Sequence, residues 1–339
     1  MNFDDIDDDL HADIGVGIDR RRHYASTRGP FQETAGLLTF YGGGGRGAIL
    51  DDIAAVGLTT SRAMHVHGEP GSGRTFLSLV LADRLAGTHN VIHHESERPV
   101  SVALLLRHLL IELCPSESAL IGPAVEVAGE CPSVDDASIA LATGHVLTQL
   151  RHAPPGGKPC ALIVDAVGRP DAALLALLDQ LAGVRRGGRS AMQVVLFRSA
   201  DAEAMREAGL RDDDGRASDG HYWLRRLTLA EVGEYLRHRM MLFDFSRRAL
   251  FSREMSYFVA DRTEGLFGPI DTLARHAFTL ASLEDERSPS MVHLLTAARP
   301  PRAERPIERR FLARHRRAFV ALLACGVVGS TAALVLLFV

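Results

Sequence analysis

The sequence is nearly devoid of lysine: Lys158 is the only one, and every other side chain of fixed positive charge is an arginine. That bears on any motif calling for lysine, because an ammonium is a compact charge whereas a guanidinium is a wide planar fork. Cysteine is also scarce. Cys114, Cys131, Cys160 and Cys325 lie far apart with no CxxC pair, and the N-terminus does not read as a signal peptide. Both features argue for a reducing compartment and against structural zinc. Histidine is more plentiful; His65 and His67 share one face of a strand pattern, with His93 and His94 further on. No Cys or acidic partner has metal-site spacing, so these read as structural or surface histidines. There are no internal repeats, and aromatics make up 6% of the chain.

Charge is small in sum, −4, but unevenly placed. Asp4, Asp5, Asp7, Asp8 and Asp9 open an acidic arm, residues 1–30, that reads as disordered. The last 22 residues, 318–339, carry no charge, and at about 1.5 Å per residue they make a helix of roughly 33 Å. Arg309, Arg310, Arg314, Arg316 and Arg317 precede it, and the positive-inside rule then keeps the preceding body in the cytoplasm. The expectation is a single C-terminal anchor in the inner membrane, with anionic lipid as the partner of the Arg-rich stretch 288–317. Gly326 and Ser330 add a small-xxx-small pair within the span.

One stretch organises the rest: Gly68-Glu69-Pro70-Gly71-Ser72-Gly73-Arg74-Thr75. An apolar strand pattern precedes it (63–66) and a helical pattern follows (75–85), the layout of a phosphate-cradling loop. Arg74 stands where the pattern has Lys. On this reading backbone N–H groups of Gly68, Gly71, Ser72, Gly73, Arg74, Thr75 and Phe76 surround the phosphates of ATP, and the Thr75 hydroxyl holds Mg²⁺. Asp165 ends a buried strand pattern, 160–165, and is expected on a strand neighbouring the loop's own, where it orients Mg²⁺ through water. The residue after it is Ala166, so the Asp-Glu pair used to position an attacking water is Asp-Ala here. Gly42 to Gly45 followed by Arg46 has neither a preceding strand nor a following Lys or Ser/Thr, and reads as a flexible turn.

Strand and helix patterns alternate from residue 63 to about 227, with helices over 48–56, 100–114, 138–150, 172–184 and 200–210, and strands over 90–93, 192–197 and 222–227. This predicts a doubly wound parallel α/β fold, a P-loop nucleotide-binding domain over 31–227. From Thr228 the pattern is helical only (229–243, 253–263, 267–283), a small lid domain over 228–287. Thr228 and Glu231 have capping-box spacing at its start.

These motifs together resemble the AAA+ ATPases of the general secretion pathway A (ExeA-like) family, which itself resembles the ATPases accompanying some transposases. The similarity runs over roughly residues 38–283 and rests on four stretches: 68–77, 162–166, LRRLTLAEVGEYLRHRM at 224–240 and GLFGPIDTLARHAFTLA at 265–281. It implies ATP and Mg²⁺ as cofactors, a homo-oligomer or membrane assembly partner, and work in secretion or envelope assembly. The departures converge on the γ-phosphate. The loop lysine is Arg74, the water-positioning Glu is Ala166, the sensor pair on the fourth strand falls at Arg198-Ser199, and the lid arginine falls at Gly268. Arg216 is a candidate arginine finger. Loss of a positioning carboxylate typically costs about 10²–10⁴ in rate. The sequence therefore allows an ATP-binding protein with weak hydrolysis, an inactive nucleotide-binding scaffold or switch, or a DNA-associated ATPase like the transposition relatives.

Overall fold

A computed structural model describes residues 31, 37–96, 99–121, 134–152, 157–166, 168–200, 220–242, 251–286 and 288–299. The acidic arm, the 200–210 helix beyond Ala200, Arg216, and the span at 318–339 with its preceding arginines lie outside them. Among the described residues no helix is long and apolar enough to cross a membrane.

The sheet has five strands: β1 (Met64–Gly68), β2 (Asn90–Ser96), β3 (Cys160–Ala166), β6 (Met192–Ser199) and β7 (His221–Leu224). All pairs are parallel, in the order β2-β3-β6-β1-β7. A hairpin of two-residue strands, β4 (Arg185–Arg186) and β5 (Arg189–Ser190), precedes β6 and was not legible beforehand. Strand period two sends alternate residues to opposite faces. Leu162, Val164, Val194 and Leu196 pack on one face with α3 (Val102–Leu113), α4 (Asp136–His152) and α5 (Ala172–Ala182). Val66, Ile163, Val195 and Phe197 pack on the other with α1 (Arg46–Val56) and α2 (Arg74–Ala86). Each fully buried Leu, Ile or Phe contributes about 1.5–3 kcal/mol, so the two clusters dominate the energetics. Such runs without a polar face are what a strand covered on both sides requires.

The lid is α6 (Leu229–Met241), α7 (Arg253–Thr263) and α8 (Phe267–Leu283), followed by α9 (Met291–Ala297). The last lies in the stretch read as a linker, and His293 on it is buried. Residues up to Leu294 form one compact unit, and the described part of the second unit is only Leu295 to Arg299.

Helix starts divide into two kinds. Ser101, Asp171, Thr228 and Ser252 each accept a backbone N–H two or three residues into α3, α5, α6 and α7, with the full capping box at Thr228–Glu231. By contrast α1, α2 and α8 begin at Gly45, Gly73 and Leu266 with no side-chain cap. Those three starts meet around one cavity.

Candidate nucleotide site

Gly68 closes β1, and the chain turns through Gly71 (φ 81°) and Gly73 (φ 86°) into α2. Both lie in the left-handed region that side chains avoid. At Gly71 an added Cβ would also stand 3.0 Å from the Pro269 ring, because the start of α8 rests on the loop: the Gly268 N–H donates to the Gly71 carbonyl at 2.9 Å. With Gly73 as its cap, α2 leaves its first N–H groups for an external acceptor.

The loop is braced from behind by charged groups distant in sequence. Arg46, expected in a flexible turn, is 3% exposed and donates to the carbonyls of Gly44, Ser72 and Arg225 at 3.2, 2.9 and 3.2 Å. Its guanidinium lies 4.3 Å from the centre of the Phe267 ring, and burial pulls its pKa down to about 10. The turn is thus an ordered buttress: an arginine can reach three carbonyls at once, and the glycine run lets it enter. Glu69, inside the loop, accepts both arms of Arg226 at 2.9 and 2.6 Å, and Arg226 also pairs with Glu264 at the end of α7. Next to it Arg225 forks onto Glu231 at 2.7 and 2.6 Å, and holds the Glu231 carboxyl down at about pH 2.

In front of the loop lies a cavity of about 330 Å³, within the range of small-molecule sites. Gly71, Gly73, Arg74, Thr75 and Phe76 line its loop side, and Phe40, Tyr41, Tyr235, Phe267 and Asp271 line the rest. Phe76 faces Phe40 with ring centroids 6.4 Å apart, and Tyr235 meets Phe267 edge-on at 4.7 Å. The residues fit an anion. Nη1 of Arg74 and Oγ of Ser72 are buried and have no hydrogen-bond partner among the described residues. Burial pulls the Arg74 pKa down while the charge of Asp165 opposes the shift. An unpaired buried donor costs about 1–3 kcal/mol or more when charged, a cost an anionic oxygen at the loop removes.

The predicted metal ligands Thr75 and Asp165 both belong to the α2 side of the sheet: Thr75 on the first turn of α2, Asp165 on the face shared with Ile163. Asp165 is 5% exposed, but it is not on the strand beside β1. β6, buried from Met192 to Phe197, takes the centre, pairing β1 on one side and β3 on the other. Glu95 went unread in the sequence, whereas His93 reads there as a structural or surface histidine. Glu95 of β2 is the register partner of Asp165 and points to the same face, so a second carboxylate stands beside it although Ala166 cannot supply one. His93, two residues back on that face, bonds Ser78 of α2 at 3.0 Å and feels the charge of both Glu95 and Asp165. Arg198 is the register partner of both Ala166 and His67, but follows Leu196 onto the opposite face, away from α2.

On that opposite face His65, His221, His67 and Trp223 form a continuous stack, with successive centroids at 4.8, 5.2 and 4.1 Å. His67 and His221 share a hydrogen bond at 3.0 Å, and burial drives the pKa of His65 to about 4 and that of His67 to about 3. One His–carboxylate group among the described residues has ligand-like spacing: Glu284, Glu286 and His293. There the Ser290 N–H donates to His293 Nδ1 at 3.0 Å, which leaves Nε2 as the N–H facing Glu284 at 2.9 Å. With both ring nitrogens engaged, no lone pair is left for a metal.

Strand, left-handed glycine turn and uncapped helix on a central parallel strand, overlaid by a helical lid, define the class: an α/β fold with a P-loop-type anion cradle. No family model matches the chain, and no curated protein matches it. Among solved structures it is similar to the Aeropyrum pernix ORC2 protein in its ADPNP–ADP complexes, at 13% identity and TM-score 0.48 over 79% of this chain and 70% of that one. It is also similar to Cdc6p from Pyrobaculum aerophilum (11%, 0.47, over 74% and 64%). A third is the RuvB Holliday junction branch migration motor of Thermotoga maritima (14%, 0.40, over 74% and 67%).

Proposed function

We propose that the chain binds ATP with Mg²⁺ in the cavity before the 68–75 loop and hydrolyses it weakly. The observation that carries this reading is the buried Arg74 Nη1, without an acceptor, beside two left-handed glycines and an uncapped helix start. Gly71 to Phe76 would hold the phosphates, while Thr75 and Asp165 would hold the metal; bound ATP brings a transferable γ-phosphoryl group. The positions that the ExeA-like resemblance assigns to that group are Ala166 and Gly268, neither of which has a polar side chain, and Ala166 is buried on the far face of the sheet. This favours, as a second reading, a nucleotide-binding scaffold or switch that turns nothing over.

The rest of the proposal stands on the sequence and its ExeA-like resemblance. Residues 318–339 anchor the protein in the inner membrane with its body in the cytoplasm. There it serves a secretion or envelope assembly, as a homo-oligomer or with a membrane partner.

The test is ATP binding and phosphate release by the purified full-length protein. Mg-ATP binding with release that Asp165→Asn abolishes supports the first reading. Binding without release selects the switch. If neither ATP nor ADP binds, the loop is structural and both readings fail.

A further inference from the structure

Within the cavity one acidic side chain serves neither the phosphates nor the braces behind the loop. Asp271 lies on α8 three residues beyond Gly268, about 4.5 Å further along the helix axis from the backbone contact with Gly71. That offset sets it back from the phosphate cradle, among the rings of Tyr41, Tyr235 and Phe267. Its Oδ1 accepts one hydrogen bond, from the Tyr235 hydroxyl at 2.6 Å. A carboxylate has room for about four, so most of its accepting capacity is unused although it lines a largely apolar wall. Resting on the nucleotide reading above, we propose that Asp271 is the specificity-determining residue for the nucleoside: its carboxylate accepts a hydrogen bond from an O–H or N–H donor on the sugar or base.

Three features bear on this assignment. The cavity wall away from the loop is largely aromatic, which suits a flat base or a sugar edge, and its hydroxyls are already engaged, Tyr235 with Asp271 and Tyr41 with Glu234 at 3.0 Å, with Arg46 and Arg239 also lining the cavity. Burial pushes the Asp271 carboxyl above its ordinary pKa, while the charges of Arg239 and Arg275 and the Tyr235 hydrogen bond pull the other way. Finally, Tyr235 fixes the carboxylate's orientation, because the phenol is itself 4% exposed and wedged between Tyr41 and Phe267. A fixed acceptor discriminates between ligands; a mobile one adapts to them.

The experiment measures competition binding of ATP, 2′-deoxy-ATP, 3′-deoxy-ATP and purine riboside triphosphate, which lacks the 6-amino group, to the full-length protein. At least one analogue is expected to bind about 10- to 100-fold more weakly than ATP, the range for a hydrogen bond to a charged group. Loss with a deoxy sugar assigns the donor to ribose, and loss with the purine riboside assigns it to the base. In Asp271→Ala the gap should close to within about twofold because ATP weakens, the deficient analogue holding its affinity. Equal affinities of all four for the unaltered protein, or a gap that persists in Asp271→Ala, overturn the proposal and leave nucleotide binding standing. Absence of any ATP binding overturns both. Should Asp271→Ala fail to fold, Tyr235→Phe, which removes the hydroxyl that orients the carboxylate, should narrow the gap, and a gap unchanged there overturns the proposal.

Discussion

The two sides of the 68–75 loop differ sharply. Behind it, Arg46, Arg225 and Arg226 make a dense set of charged hydrogen bonds to carbonyls, Glu69, Glu231 and Glu264. In front, the cavity wall carries the bare backbone of Gly268, while Ala166, where the resemblance calls for a carboxylate, is buried in the apolar cluster on the opposite face of the sheet. On the proposed reading the groups that shape a cradle are present, and side chains that would drive turnover are missing from Ala166 and Gly268. Holding an anion and cutting it are therefore separable demands: the first needs backbone geometry and positive charge, the second needs side chains placed to within a fraction of an ångström.

The strongest way to break the contrast is to destroy the side that is intact. Gly71→Val forces a branched residue into a left-handed turn against Pro269. It should lower ATP affinity by more than about 100-fold, read by calorimetry, since the cradle itself is lost. Rebuilding the depleted side is the converse. Arg74→Lys should raise phosphate release, whereas Ala166→Glu, which puts a carboxylate into the apolar cluster on the opposite face, should not and should lower stability; a rise with Ala166→Glu would place that residue at the site after all. If Glu95 already stands in for the missing carboxylate, Glu95→Gln should abolish whatever release the unaltered protein shows, with ATP affinity unchanged.

Smaller effects test the brace itself. Arg46→Met leaves the Ser72 and Arg225 carbonyls without their donor and should cost about 2–4 kcal/mol in chemical denaturation. Acid should unload the sheet on the loop's other flank. The folded-state pKa of His65 and His67 is depressed to about 4 and about 3, below the unfolded value near 6.5, so the unfolded chain binds protons first. Their contribution is complete above about pH 6.5 and is lost as pH falls from there towards 4 and 3. His67→Phe should flatten that slope in circular-dichroism melts between pH 6.5 and 4, and an unchanged slope would exclude the stack as its origin.

Local chemistry was legible in the sequence; long-range chemistry was not. Glycine spacing, the Thr228–Glu231 box and the all-apolar strands depend on neighbours a few residues apart, and the structure reproduces them. The strand order is not local. β6 enters between β1 and β3, which moves Asp165 one strand away from where adjacency in motif order had put it. Arg46 looked like the end of a flexible turn because its acceptors are 26 and 179 residues away. Glu95 carried no motif, and Asp271 sat within the 265–281 stretch without being singled out; register and helical phase bring them to Asp165 and to the cavity.

Trp223 is the only tryptophan of the chain, and its indole stands on the His67 ring at 4.1 Å, one residue before the loop begins. The protein thus carries a single native fluorophore wired by one stacking contact to the strand that ends in Gly68. Any ligand that shifts that strand should change the brightness or colour of one emitter against a dark background, so loading of the cradle can be followed in unlabelled protein.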